Sequence, residues 1–281
     1  MAAKNLKGFL AEEIERINEM TREYANIVYA KEGKVATITL HRPKALNALS
    51  RALLDEMSEA LKDAEKDDNV NVIVMTGTGE KAFCAGADIT ELKDLSPVEA
   101  MNYSRKFHNY TRQMEKMRKP IIARINGFCL GGGAEVAMAC DFRIASDKSK
   151  FGQPEIKIGL IPGGGGTQRL TRLVGKTVAM EINMLGEQID AHEAYRIGLV
   201  NRVVPEEILN RVVDEFVKKL LRLSTVSLGI AKQVIYDGIE MDIDRALHHE
   251  AACFGETLST EDAKEGMAAF LGKRPPQFQG R

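Results

Sequence analysis

The sequence has no tryptophan, only four cysteines and no long hydrophobic run. None of its stretches approaches the ~20 apolar residues that a membrane-spanning helix needs. The N-terminus lacks the apolar segment of a secretory signal, and its early glutamates make it too acidic for an organellar transit peptide. These glutamates are Glu12, Glu13, Glu15 and Glu19. We therefore expect a cytoplasmic protein with no membrane partner.

The cysteines and histidines are not spaced as metal ligands or redox pairs. No CxxC or Cys/His pattern is present, so we interpret the cysteines as reduced thiols in a reducing compartment. His248 and His249 are adjacent, and neighbours on a helix point in different directions. We therefore expect no metal site. The four cysteines are Cys84, Cys129, Cys140 and Cys253.

The charges nearly cancel, with 39 Lys and Arg against 40 Asp and Glu and a net charge of −1. Proteins that bind nucleic acid normally carry a basic excess, so we expect no nucleic-acid partner. Hydrophobic residues make up 44% of the chain, which is ordinary for a globular protein. A length of 281 residues allows one large domain or two small ones.

The hydrophobic periodicity divides the chain into three parts. Residues 1–25 have the spacing of an amphipathic helix, residues 26–204 alternate strands with helices, and residues 205–281 read as helices only. The alternation predicts an α/β core with crossover connections. The predicted strands are 35–40, 72–75, 121–125 and 142–145. The predicted helices are 49–66, 97–118, 132–139, 205–222, 225–238, 241–258 and 261–271.

Glycine is the abundant residue, and ten of the 24 glycines fall between positions 127 and 166. The run 131–133 follows a predicted strand and opens a predicted helix, whose first N–H groups lack intrahelical acceptors. These groups could bind a phosphate, but the phosphate-loop pattern GxxxxGK[ST] is absent. They could instead stabilise a carbonyl oxygen that gains negative charge, with a second N–H from the segment 83–88. Close helix–strand packing would explain the run equally well.

Two glutamates lie near the glycines in sequence. Glu135 follows Gly132 by three residues, which keeps it within one helical turn of that N–H group. Glu155 lies in the apolar segment 151–156, where burial would raise the pKa of its carboxyl group. Two carboxyl groups in different environments can divide acid and base roles. A single glutamate is more often a solvated surface residue, so spacing alone does not select these two.

Five segments occur in an order and spacing that resemble the crotonase superfamily, and within it the enoyl-CoA hydratases. The resemblance runs from about residue 27 to the C-terminus and implies a crotonase-like ββα spiral core with a C-terminal helical trimerisation region. His41 stands where the family usually has asparagine, and the motifs do not explain the helix before Asn26. The segments are 41–49, 85–88, 131–135, 151–155 and 161–170.

The same resemblance implies roles for particular residues. The backbone N–H groups of Ala87 and Gly132 would hold the thioester oxygen, and Glu135 and Glu155 would be the catalytic glutamates. Coenzyme A would be part of the substrate, so no separate cofactor is expected. The residues expected to contact the CoA thioester are Lys44, Ala45, Ala85, Asp88 and Ile89, with Phe270 and Lys273 reaching the CoA of a neighbouring subunit.

The resemblance therefore implies reversible hydration of a short-chain 2-enoyl-CoA, such as crotonyl-CoA, by a homotrimer or homohexamer. The presence of both glutamates favours hydration over double-bond isomerisation. Four alternatives stay open. The chain could work as a dehydratase of a 3-hydroxyacyl-CoA such as 3-hydroxypropionyl-CoA, as an enoyl-CoA isomerase or acyl-CoA hydrolase of the same fold, or as an RNA-binding homologue.

Overall fold

The computed structural model describes residues 24–281, so all but the last two residues of the helix predicted for residues 1–25 lie outside the described part. The strands are β1 (Ile27–Glu32), β2 (Val35–Leu40), β3 (Val72–Gly77), β4 (Ala82–Cys84), β5 (Ile121–Ile125), β6 (Phe128–Leu130), β7 (Phe142–Ser146), β8 (Lys150–Gly152), β9 (Ile189–Asp190) and β10 (Arg202–Val204). The α-helices are α1 (Arg51–Lys66), α2 (Pro97–Lys116), α3 (Gly132–Ala139), α4 (Gly166–Val174), α5 (Lys176–Leu185), α6 (Ala191–Arg196), α7 (Leu209–Leu220), α8 (Thr225–Gly238), α9 (Ile243–Ser259) and α10 (Glu261–Leu271).

The strands form two sheets. The first has the order β1-β2-β3-β5-β7-β10, and all of its pairs are parallel except β1 with β2. The second has the order β4-β6-β8-β9, with β8 and β9 antiparallel. All four predicted strands belong to the first sheet. The second sheet was missed because its strands are only two or three residues long.

The central strands β3, β5 and β7 of the first sheet are buried on both faces, which explains their apolar sequences. Ile73 and Met75 of β3 face the larger core, which also holds the apolar side of α1. Val72 and Val74 point the other way, into a smaller core closed by α7. The side chains that α7 contributes are Leu209, Val213, Val217 and Leu220. A purely amphipathic strand would leave one of these faces exposed.

Local capping determines where the helices begin. The Ser50 side chain accepts a hydrogen bond from the Leu53 N–H, so α1 begins at Arg51 rather than at 49. Ser96 and Glu99 form a capping box at the start of α2. The helix predicted at 205–222 is a 3₁₀ turn followed by α7, and the other three C-terminal helices agree within two residues.

A buried ion pair connects the C-terminal helices to the core. Lys232 of α8 donates to Asp141 Oδ2 and to the Met114 carbonyl, each at 2.8 Å. Asp141 also accepts the Ile121 N–H at 2.7 Å. Burial raises the pKa of Asp141, and the Lys232 ammonium opposes that rise. One side chain thus holds α8 against the end of α2 and the start of β5.

Candidate active site

The triple glycine at 131–133 has two structural consequences. Gly131 caps α3 with φ 50°, in the region that favours glycine. A Cβ on Gly133 would lie 2.2 Å from the Cys84 carbonyl oxygen, so this helix and β4 can approach only at glycine. The helix begins at Gly132, as predicted, with its N–H free of an intrahelical acceptor. The close packing is therefore present at Gly133, and that the unpaired N–H of Gly132 stabilises a carbonyl oxygen stays a prediction.

The Ala87 N–H lies beside this helix N-terminus. Leu49 pairs with the residues on either side of Ala87, donating to the Gly86 carbonyl and accepting from the Asp88 N–H, both at 2.8 Å. This pairing turns the Ala87 N–H to the opposite side. A Cβ on Gly132 would lie 3.4 Å from the Ala87 nitrogen. Within residues 24–281 no backbone acceptor bonds either N–H, so the two unpaired donors lie side by side.

Glu135 is buried one turn into α3, with only 1% of its surface exposed. Its Oε1 accepts the N–H groups of Gly164 and Gly166, both at 2.7 Å. Burial raises the pKa of Glu135 to about 7, although these two hydrogen bonds favour the ionised form. Because Oε1 is held, Oε2 is the oxygen that remains for a water molecule.

Glu155 lies on the 3₁₀ turn Pro154–Ile158, beside the same helix N-terminus. Its Oε1 is 2.8 Å from the position that a Cβ on Gly131 would take. With the side-chain nitrogen of Gln153 facing it, Gln153 donates to both carboxyl oxygens at 3.2 Å. Burial raises the pKa of Glu155, and Glu155 in turn raises the pKa of Glu135. The two carboxyl groups therefore belong to one site.

The segments 41–49 and 84–90 lie together at the edge of this site. The Ala85 N–H donates to the Leu46 carbonyl at 3.0 Å, and Lys44 and Ala45 lie exposed on the preceding turn. Ile89 is also exposed. Four of the predicted CoA-contacting residues therefore border the surface formed by these two segments. They are Lys44, Ala45, Ala85 and Ile89.

Asp88 has one partner in its own loop and one in the segment 41–49. Its carboxylate accepts hydrogen bonds from Thr90 and from Arg42 Nη2, the latter at 2.8 Å, and these contacts hold its pKa below the usual range. Arg42 also donates to the Ala48 carbonyl at 2.6 Å. The Asp88 side chain thus joins the segment 84–90, which carries Ala87, to the segment 41–49.

Phe270 and Lys273 lie at the end of α10, which packs against α8 and α9. Phe270 is 84% exposed. In the described chain neither side chain bonds to a residue of the glutamate site. Their contact with the CoA of a neighbouring subunit stays a prediction.

Three further residues shape the site through contacts that the sequence did not predict. Gly164 and Gly166 supply the N–H groups that hold Glu135. Phe107 of α2 lies between Gly164 and Gly132. Its ring would be 2.4 Å from a Cβ on Gly164 and 3.3 Å from a Cβ on Gly132. Phe107, Tyr110 and Met114 are buried at helical spacing, which indicates a core-facing side of α2 but not this contact.

The raised pKa of Glu135 predicts a pH-dependent stability. Folding raises this pKa from 4.5 to about 7, so the folded state holds the proton more tightly. The resulting stabilisation is full below pH 4.5 and lost as the pH rises to about 7. Relative to Glu135→Gln, the wild type should lose about 3 kcal/mol of unfolding free energy across this window. Urea denaturation of both proteins at pH 5 and 7.5 measures the difference, and an unchanged gap would contradict it.

Comparison with known proteins assigns the family. Residues 30–281 match the family model described as enoyl-CoA hydratase/isomerase. A short-chain-enoyl-CoA hydratase of Clostridium acetobutylicum is 47% identical over 253 residues, covering 90% of this chain and 97% of that protein. A crotonyl-CoA hydratase of Syntrophomonas wolfei is 46% identical, covering 91% of this chain and 98% of that protein.

Solved structures agree with the fold. The crystal structure of an enoyl-CoA hydratase from Bacillus anthracis has a TM-score of 0.87 at 37% identity, covering 91% of this chain and all of that chain. The crystal structure of an enoyl-CoA hydratase subunit I from Geobacillus kaustophilus has a TM-score of 0.88 at 38% identity, covering 92% of this chain and all of that chain. The expected crotonase-like α/β fold is confirmed. The chain belongs to the enoyl-CoA hydratase/isomerase family.

Proposed function

We propose that this protein catalyses the reversible hydration of a short-chain 2-enoyl-CoA, of the crotonyl-CoA type, to the 3-hydroxyacyl-CoA. The observation that carries the proposal is the pair of buried carboxyl groups, Glu135 and Glu155, beside two N–H groups that can bind one oxygen. Relatives named for short-chain-enoyl-CoA and crotonyl-CoA hydration, at 46–47% identity, support the substrate class.

In the proposed reaction, the thioester oxygen accepts hydrogen bonds from the Ala87 and Gly132 N–H groups. These donors stabilise the negative charge that develops on that oxygen as the double bond is attacked. Water on Glu135 Oε2 gives its proton to that carboxylate while its oxygen bonds to C3. Glu155 donates a proton to C2, which completes the addition. Dehydration is the same sequence reversed, with Glu155 taking the C2 proton.

This division of roles requires one proton on the glutamate pair before hydration. The N–H groups of Gly164 and Gly166 favour the ionised form of Glu135. Burial favours the protonated form of both carboxyl groups, and only Glu135 has the two N–H donors of the glycine loop to oppose it. After one hydration the proton has moved from Glu155 to Glu135, so it must return through solvent before the next turnover. The pair therefore titrates as a unit.

The test supplies the purified protein with crotonyl-CoA and follows the absorbance of the enoyl thioester. We expect that absorbance to fall while no free CoA thiol appears. An isomerase would leave the product mass unchanged, and a hydrolase would release thiol. Relative kcat/KM on short enoyl and 3-hydroxyacyl thioesters then ranks hydratase against dehydratase use. Stable crotonyl-CoA in the presence of folded protein would overturn the proposal.

The oxyanion-binding geometry makes a prediction for Gly132→Ala. The added methyl group would lie 3.1 Å from Leu49, 3.3 Å from Phe107 and 3.4 Å from the Ala87 nitrogen. It would occupy space that the thioester oxygen needs, so kcat/KM should fall by about 10²-fold. Steady-state kinetics with a thermal unfolding control measures this. A folded variant with the wild-type rate would show that the oxygen binds elsewhere.

We also propose assembly into a homotrimer or homohexamer through the C-terminal helices, which leave large apolar side chains exposed. Exposed apolar surface of this extent typically marks an interface. The exposed residues are Ile235, Ile239, Ile243, Leu247, Phe254, Phe270 and Leu271. Sedimentation should give the mass of three or six chains, and a monomer would contradict the assembly.

The remaining expectations concern location and cofactors. Within residues 24–281, no helix combines the length and apolar character needed to cross a bilayer. The cytoplasmic location and the absence of a separate cofactor stay predictions from the sequence.

A further inference from the structure

The two N–H groups that hold Glu135 lie on a loop with little rigidity of its own. Residues 163–166 are all glycine, and glycine loses more conformational freedom on folding than any other residue. Gly165 adopts φ 108° and caps α4 without a side-chain hydrogen bond. Contacts from outside the loop must therefore fix the positions of Gly164 and Gly166.

Arg169 supplies such a contact. It lies one turn along α4, and its Nη1 donates to the Gly164 carbonyl at 3.0 Å. A Cβ on Gly165 would lie 2.1 Å from the same nitrogen, so the guanidinium is packed directly against the loop. The Nε of Arg169 donates to Glu115 Oε1 on α2, and the two side chains are only 15% and 13% exposed. Ser104 of α2 adds a hydrogen bond to the Gly163 carbonyl at 2.6 Å.

We propose that Arg169 and Glu115 are a positioning pair, which holds the Gly164 and Gly166 N–H groups on Glu135 and so sets the rate of hydration without touching the substrate. This inference rests on the proposed function. The connection runs from α2 through Glu115 and Arg169 to the loop, and from the loop to Glu135. A charge-assisted pair in a partly buried position is stronger than a neutral hydrogen bond and fixes geometry better.

The charged and titratable groups near Glu135 indicate how its pKa should change when Arg169 is removed. Glu155 raises the pKa of Glu135 and Arg169 lowers it. Tyr103 of α2 is close enough that Glu135 raises its pKa, and burial together with Arg169 lowers the pKa of His108. Removing Arg169 takes away a positive charge and loosens the two donated hydrogen bonds. Both changes raise the pKa of Glu135.

Arg172 offers a matched control on the same helix. It lies three residues after Arg169 and forms a pair with Glu240 at 2.7 Å. This pair is 44% and 54% exposed, and the acceptors of Arg172 are Glu240 and Gln168, not the glycine loop. Arg172→Gln therefore removes an arginine and an ion pair from the same helix without removing a contact to the loop.

The experiment compares Arg169→Gln, Arg169→Lys, Glu115→Gln and Arg172→Gln in crotonyl-CoA hydration. Arg169→Gln should lower kcat about 10- to 100-fold with KM nearly unchanged, because a small displacement of Glu135 costs rate rather than binding. The acidic limb of its kcat/KM profile should move to higher pH. Arg169→Lys should keep part of the activity, since lysine retains the charge but not the fork geometry. Glu115→Gln should give a smaller loss in the same direction, and Arg172→Gln a rate within twofold of wild type.

A second readout requires no substrate. Infrared difference spectra between each protein and its Glu135→Gln counterpart report the titration of the Glu135 carboxyl. The pKa obtained from that titration should be higher in Arg169→Gln than in the wild type. An unchanged acidic limb and titration in folded Arg169→Gln would overturn the inference, as would an equal loss in Arg172→Gln. If Arg169→Gln does not fold, the kcat values and the Glu135 titrations of Arg169→Lys and Glu115→Gln test the inference in its place. Failure of the wild type to hydrate crotonyl-CoA would overturn the proposed function, while the infrared titration would still test the positioning.

Discussion

Replacing Glu155 with glutamine is expected to lower kcat for crotonyl-CoA hydration by about 10³-fold, with a much smaller change in KM. Glutamine has the size of glutamate but no acidic proton to give to C2. Its amide can still contact Gln153, so the turn Pro154–Ile158 should keep its shape. Stopped-flow or steady-state absorbance of the enoyl thioester measures the loss.

The two glutamates can be separated by hydrogen exchange at C2. A saturated acyl-CoA in heavy water can exchange its C2 proton through Glu155 and the oxyanion-binding N–H groups, without activated water. Exchange should be lost in Glu155→Gln and retained in Glu135→Gln. Glu193→Gln, which alters an exposed pair with Arg196, is the control and should keep both activities. Retention of exchange in Glu155→Gln would assign the C2 proton to another group.

Replacing Lys232 with methionine is expected to lower the free energy of unfolding by about 3–5 kcal/mol. The pair with Asp141 is almost fully buried, with side chains 7% and 12% exposed. Removing the ammonium leaves the Asp141 carboxylate buried without its cation and also leaves the Met114 carbonyl without its donor. Chemical denaturation of the wild type and Lys232→Met measures the difference.

An exposed ion pair provides the comparison for this variant. Arg245 and Asp242 are 83% and 58% exposed, so Arg245→Gln should change stability by less than about 1 kcal/mol. Adding Asp141→Asn to Lys232→Met should recover part of the loss because the uncompensated charge is gone. A loss below about 1 kcal/mol in Lys232→Met would show that the pair does not anchor α8.

The sequence pattern predicted several long, strongly periodic elements well, but it missed the short strands and also β1 and the helices α4, α5 and α6. The strand at 35–40 and the helix at 132–139 agree with the structure residue for residue. Strands such as Ala82–Cys84 and Phe128–Leu130 were missed. Three residues are too few to show a period, and these strands exist because they pair with each other across more than forty positions.

The candidate site shows the same difference between residues that local spacing placed correctly and contacts that only the fold brings together. Helical spacing alone placed Gly132 and Glu135 on one turn, and the structure agrees. The apolar segment 151–156 singled out Glu155, but its position beside Gly131 could not be predicted, because it depends on how β8 and the following turn pack. The contacts from the glycine loop to Glu135 join residues 29 and 31 positions apart. The contact of Arg169 with Glu115 joins residues 54 positions apart, and only the fold brings such residues together.

The most direct test of the central claim is the reaction of crotonyl-CoA in water labelled with heavy oxygen. If Glu135 activates water and Glu155 protonates C2, the wild-type product carries one labelled oxygen at C3 with its thioester intact. The double variant Glu135→Gln with Glu155→Gln should give no labelled product in the same time. Label in a free carboxylate with released CoA, or labelled 3-hydroxyacyl-CoA from the double variant at the wild-type rate, would contradict the account.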